Sequence, residues 1–379
     1  MKFKSLALTS AVFFASMTSA QAETDIAQLQ AEIEALKSQL NSLADTVEQQ
    51  STSSNNGVSI GGYGEVHLNI YNDKAKNNKI DFHRFVLFVN KEFNEKTRFF
   101  SELEVEHSLA GEGKPGEVEV EQAYIEYDAT DYLQVKTGLF LVPVGILNET
   151  HEPDTFYGVE RNNVEKNIIP STWWEAGAGV TLKAAEGLTV DLAAHSGLAI
   201  PVADGKYKIR DGRQKVANAV ANNAAYTARV KYTAVPGLEL AATAQYQSDI
   251  TQAKTGDDVS ASLVEAHAVY QAGGFSAKAL YAKWDIENKI ETVKAGADVQ
   301  EGYFVEPAYR YNNVGVYTRF STWDNTAGDD VDSATRQKEV GVNYWLADTV
   351  TIKGDIFTQD TDGGTKDLSG INLGVGYSF

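Results

Sequence analysis

Alternation of apolar and polar positions dominates this chain from residue 58 to its end. In the final stretch, Ile371, Leu373, Val375, Tyr377 and Phe379 alternate with Asn372, Gly374, Gly376 and Ser378. A period of two is a strand with one greasy face, and such a strand at a chain terminus invites edge pairing unless a partner closes over it. Closing the sheet into a barrel supplies that partner. Sixteen such segments are predicted, and the connections between them alternate in length. Short ones fall near 94–96, 129–131, 184–187, 234–237, 271–274, 312–313 and 347–348; long ones surround 72–79, 109–116, 144–171, 198–222, 250–260, 285–301, 324–335 and 359–368. Strict interleaving puts every turn at one end of the sheet and every long loop at the other. The predicted fold is therefore all-β, a 16-stranded antiparallel transmembrane β-barrel with periplasmic turns and external loops.

A different period precedes the strands. From Ile26, apolar residues recur at Leu29, Ile33, Leu36, Leu40, Leu43 and Val47, a three-four spacing that predicts a short N-terminal α-helical coiled coil. Before it, Lys2 and Lys4, an apolar run from Leu6 to Ala15 and Ala20-Gln21-Ala22 read as a secretory signal whose apolar run is too short to span a bilayer. The expected organisation is a signal peptide over 1–22, a periplasmic coiled coil over 23–48, a Ser- and Asn-rich linker over 49–57, and the barrel over 58–379.

The outward faces carry tyrosines at strand ends. Tyr226, Tyr246, Tyr281 and Tyr303 fall at the external ends, and Tyr232, Tyr270, Tyr309, Tyr311, Tyr344 and Phe379 at the periplasmic ends. Two aromatic rings are what a barrel presents to its two lipid interfaces, whereas a soluble sandwich would scatter them. The formal net charge of −19, which loss of Lys2 and Lys4 makes more acidic, is opposite to that of a nucleic-acid binder. Absence of cysteine excludes a disulfide framework and a thiol nucleophile.

The inward faces define function. Glu102, Glu104 and Glu106 share one parity, as do Glu117, Glu119 and Glu121; paired antiparallel, the six form a pore-lining acidic wall in the outer half. Lys136, Arg229, Lys231, Lys278, Arg310, Arg319 and Lys353 have inward parity elsewhere, which predicts charge separated across the lumen. The loop over 143–172 is the longest and carries Glu149, His151, Glu152, Asp154, Glu160 and Arg161, the candidate constriction. Lys206, Lys208, Arg210, Arg213 and Lys215 form a basic patch in the next loop, suited to attracting anions or lipopolysaccharide phosphates. His67, His83 and His107 lie at similar heights, but parity gives His67 and His107 opposite facing, so no metal site is assigned. No cofactor motif is recognised.

The segments DFHRFVLFVNKEF, FFSELEVEH, GEGKPGEVEVEQAYIEY, TGLFLVPVGILNETHEPDTFYGVERN and IIPSTWWEAGAGV, between Ile80 and Val180, resemble the phosphate-selective porins of the O and P type. The resemblance implies an outer-membrane channel of sixteen strands, trimeric and passing small anions. The chain departs from the selective members in lacking a dense run of Arg on successive lumen positions.

The expected function is passive diffusion of small hydrophilic solutes and ions, anions such as phosphate among them. A cation-preferring general porin, or a barrel tethering the outer membrane to the cell wall through the coiled coil, are the alternatives. An outer-membrane lipase or protease would need a Ser or Asp with a His partner, and no such pair is found. Expected partners are small ions and solutes, outer-membrane lipid and lipopolysaccharide, two further copies in a homotrimer, and the cell wall.

Overall fold

The structure, a computed structural model, describes residues 57–379 except 109–110, 112, 202–206, 255, 288–294 and 363–366. The signal peptide, the coiled coil and the linker up to residue 56 lie outside the described residues. The described strands are β1 (Val58–Tyr71), β2 (Lys79–Asn94), β3 (Thr97–Glu106), β4 (Val118–Thr130), β5 (Leu133–Leu141), β6 (Trp174–Ala185), β7 (Leu188–His195) and β8 (Ala225–Tyr232). They continue with β9 (Leu238–Gln247), β10 (Ala261–Ala272), β11 (Phe275–Ile286), β12 (Val299–Tyr311), β13 (Val314–Asp324), β14 (Thr335–Ala347), β15 (Val350–Thr361) and β16 (Leu368–Ser378). Each strand pairs with its neighbours in sequence, and β1 pairs with β16, so the sheet is a closed antiparallel barrel.

Closure is set by the terminal alternation. Val66 lies opposite Val375, Leu68 opposite Leu373 and Ile70 opposite Ile371. Gly62 and Phe379 exchange two backbone hydrogen bonds of 2.9 Å, so the last residue is locked to the first strand. A one-residue slip would turn this whole apolar set inward. The tyrosine belt follows the same register. Tyr226 pairs with Tyr246 and Tyr281 with Tyr303 at the loop end, all exposed on the outer surface, while Tyr309 and Tyr311 are exposed at the turn end.

Inside, part of the barrel is filled by packed apolar side chains. In its loop half, Val142, Val164, Ile168, Trp173, Leu263 and Trp284 belong to one buried apolar cluster. These residues come from the connection 142–173 and from inward positions of β10 and β11. Inward Leu263, Leu280, Ala282 and Trp284 interrupt the polar parity because a loop, not water, faces them. Each large side chain buried there contributes roughly 1.5–3 kcal/mol, enough to hold a loop that has no sheet of its own.

Candidate functional site

The connection between β5 and β6, the third loop, lies inside the barrel. Its single helical turn α1 (Asn163–Asn167) starts at Asn162, whose side chain accepts from the Glu165 amide at 2.9 Å and donates to the Glu165 carboxylate at 2.6 Å. This reciprocal bonding caps a helix too short to stand alone. The buried Glu165 also accepts from the Ile146 and Leu147 amides at 2.7 Å each. Gly145 has a left-handed φ of +74°, and a Cβ there would lie 2.5 Å from the Glu165 carboxylate oxygen. Asn148 ties the two ends of the loop together through Val142 O at 2.8 Å and the Trp173 amide at 2.7 Å.

The terminal strand seats this loop. A Cβ on Gly376 would lie 2.5 Å from Pro153, and one on Gly374 would lie 2.9 Å from Val159, so both inward glycines leave room for a passing backbone. Polar groups on neighbouring strands then hold the loop. Ser378 donates to Asp154 at 2.7 Å, Lys353 to Phe156 O at 3.0 Å, and Arg319 to Tyr157 O at 2.7 Å. Glu160 meets His67 at 3.1 Å and accepts from Asn69 at 3.0 Å. The His67 bond outweighs the opposing effect of burial and holds the Glu160 carboxyl well below its ordinary range.

Glu104 lies opposite Glu119, and a bulge at Glu102 sets that residue opposite Gln122, so the acidic wall runs across β3 and β4. Five of its six carboxylates are engaged. Arg84 reaches Glu104 at 3.2 Å and Glu65 at 2.8 Å; His151 Nε2 lies 3.4 Å from both Glu102 and Glu121; Lys215 bonds Glu117 and Glu119. Burial works against the His151 imidazolium, but the two carboxylates outweigh it and raise His151 to about 9. Glu106 donates its amide to Glu117 O and borders a cavity at the loop end.

Several expected roles are corrected. Arg229, Arg319 and Lys353 do not line open lumen: all three are buried, because the third loop covers them. Arg229 bridges Asp191 of β7 to Glu149 of the loop, and Arg319 bridges Glu306 and Glu339. In the basic patch, Arg210 donates to Ser171 O at 2.6 Å and Arg213 to Thr172 O, so they brace the third loop, while exposed Lys208 pairs with Asp211 at 3.5 Å. Lys206 lies outside the described residues.

Lys136, Lys231, Lys278 and Arg310 keep inward positions and form no ion pair among the described residues. Lys136 sits 4.8 Å over the Phe140 ring, Lys278 reaches Thr155 O at 3.5 Å, and Arg310 sits 4.0 Å over Trp345. Glu152 and Asp154 are partly exposed on the loop.

At the loop end, a cavity of about 230 Å³ is bordered by His67, Arg84, Glu160, Arg161, Lys166 and Arg210. Burial pushes the Lys166 ammonium down, as it does the Arg210 guanidinium, to which Arg213 and Arg161 add their repulsion. His67 and His107, which parity sets on opposite faces, are brought into one row with His83: His67 stacks on His83 at 4.6 Å, and His107 meets His83 edge-on at 5.6 Å. Parity failed because His107 lies beyond β3 with a φ of +53°. Glu65 and Arg84 were missed as well; alternation of Glu65, His67 and Asn69 with Val66 and Leu68 was the available signal.

The family model for the phosphate-selective porin O and P matches residues 59–372. An uncharacterized protein of Aquifex aeolicus (strain VF5) is 36% identical over 181 residues, 46% of this chain; the match covers only 41% of that protein's length. Among solved structures, an anion-selective porin from Comamonas acidovorans has a TM-score of 0.60 at 12% identity, covering 85% of this chain and 99% of its own. The outer membrane channel DcaP of Acinetobacter baumannii gives 0.58 at 14% identity, with 85% and 97% covered. The in-vitro folded, trimer form of OmpT, an outer membrane protein of Vibrio cholerae, gives 0.56 at 13% identity, with 85% and 99% covered. At these identities the likeness is one of fold.

Proposed function

The chain belongs to the phosphate-selective porin O and P family, and on that premise we propose that it is an outer-membrane channel through which small hydrophilic anions, phosphate among them, diffuse preferentially. One observation carries the preference. Five of the six carboxylates of the acidic wall are engaged by Arg84, His151 and Lys215, whereas Lys136, Lys231, Lys278 and Arg310 keep inward charges that form no ion pair among the described residues. Cations free of a carboxylate on the inner surface attract anions into a narrow low-dielectric passage. The third loop narrows that passage. The long loops face outward from the cell, the tyrosine belts meet lipid, and three copies assemble, as in the trimer form of the Vibrio cholerae relative.

Planar-bilayer recording tests this. Purified protein is expected to give stepwise conductance and, in a salt gradient, a reversal potential of anionic sign. Replacing Lys136, Lys231, Lys278 and Arg310 together by Gln is expected to move that potential toward cations. Cation preference in the unsubstituted protein would overturn the anion reading, and absence of steps from folded protein would overturn the channel.

A further inference from the structure

We propose that Asp81, His83 and His107 form a binding site for a borderline divalent cation of the zinc class at the loop-end mouth of the barrel. The backbone places the three donors together. The His107 amide donates to His83 O at 3.1 Å, which continues the β2–β3 ladder by one pair, and the left-handed φ of His107 then turns its ring toward Asp81. Asp81 lies two residues before His83 on the same strand, so the two share a face. Both imidazoles aim Nδ1 at the one carboxylate: His83 at 3.1 Å, His107 at 2.8 and 2.9 Å. One ligand atom from each residue lies within 4.8 Å of the others.

Two imidazoles and one carboxylate on one side of a point suit zinc, nickel or copper(II), whereas calcium and magnesium prefer all-oxygen shells. The side chains are 26–30% exposed, so a hydrated ion can enter and water can fill the remaining coordination positions. Surrounding groups support the ligands. His67 stacks against His83 and is itself fixed by Glu65 at 3.0 Å and Glu160 at 3.1 Å.

Arg84 makes the site a competitive one. Its Nη2 lies 3.1 Å from His83 Nε2, so without an ion Nε2 accepts and Nδ1 carries the proton that faces Asp81. An ion on Nδ1 requires the His83 proton to move to Nε2, where it meets another donor. Arg84 then turns Nη2 away while its ion pairs with Glu65 and Glu104 hold it in place. Binding of the ion and loosening of the Arg84–His83 contact are therefore linked.

The test uses the full chain, folded and trimmed of free metal with a chelator, and adds zinc chloride while heat is recorded by titration calorimetry. One equivalent is expected to bind, at least tenfold more weakly in Asp81→Asn and in His107→Gln, and unchanged in His195→Ala, a buried histidine bonded to Thr227 away from the cluster. Cobalt(II) supplies a second readout on unsubstituted protein: ligand-field bands of a low-symmetry site are expected to appear on addition and vanish on adding zinc. Equal zinc affinity in His107→Gln and unsubstituted protein, or no cobalt bands, would overturn the proposal; loss of binding in His195→Ala would do so as well.

Discussion

His151 sits where the third loop meets the acidic wall, and its ring nitrogens face only acceptors: Glu102 and Glu121 at Nε2, Asn148 O at Nδ1. The charged imidazolium, with a proton on each nitrogen, is the form this surrounding favours. Folding raises this group from 6.5 to about 9; at about 1.4 kcal/mol per unit, the clamp stabilises the folded chain by about 3 kcal/mol. A folded value above the unfolded one means this contribution is full below about pH 6.5 and lost as pH rises through about 9. His151→Gln removes it while keeping the side chain polar. Urea unfolding of the purified protein, followed by tryptophan fluorescence from buried Trp173 and Trp284, is the assay. The difference between unsubstituted protein and variant is expected to be about 3 kcal/mol near pH 6 and to approach zero near pH 10. Titrating groups away from His151 are common to both proteins and cancel in the comparison, whereas Glu102 and Glu121 are part of the clamp and change with it. A difference that stays constant across the range would refute the charged clamp.

Two further perturbations follow from the seat of the third loop. Arg229→Ala leaves Asp191 nearly buried without its cation and frees Glu149; a loss of about 3 kcal/mol in the same unfolding assay is expected, with noisier open-channel current, and a loss under about 1 kcal/mol would show that the bridge is idle. Gly376→Ala places a methyl 2.5 Å from Pro153, so the loop must lift from the terminal strand. A changed single-channel conductance with barrel folding intact is expected, whereas unaltered conductance would mean the loop sits elsewhere in the membrane.

Periodicity carried most of the fold. Alternation depends only on neighbours two apart in sequence, and it set the number of strands, their facing and the closure of Ile371, Leu373 and Val375 on β1. The interleaving of short and long connections fixed which ends belong together. Parity also placed Lys136, Lys231, Lys278 and Arg310 on the inner surface.

Which inward charges meet water was a different matter. Arg229, Arg319 and Lys353 share the parity of Lys136, yet the third loop buries them. The row from His67 through His83 to His107 depends on one left-handed residue beyond a strand end, where alternation no longer applies. In this chain the sequence by itself determined the cylinder, because each strand needs only to know its own two faces. Only the tertiary structure decided what fills it, because the loop's partners lie on β1, β8, β13, β15 and β16, far apart in sequence, and no local period records which of them it will touch.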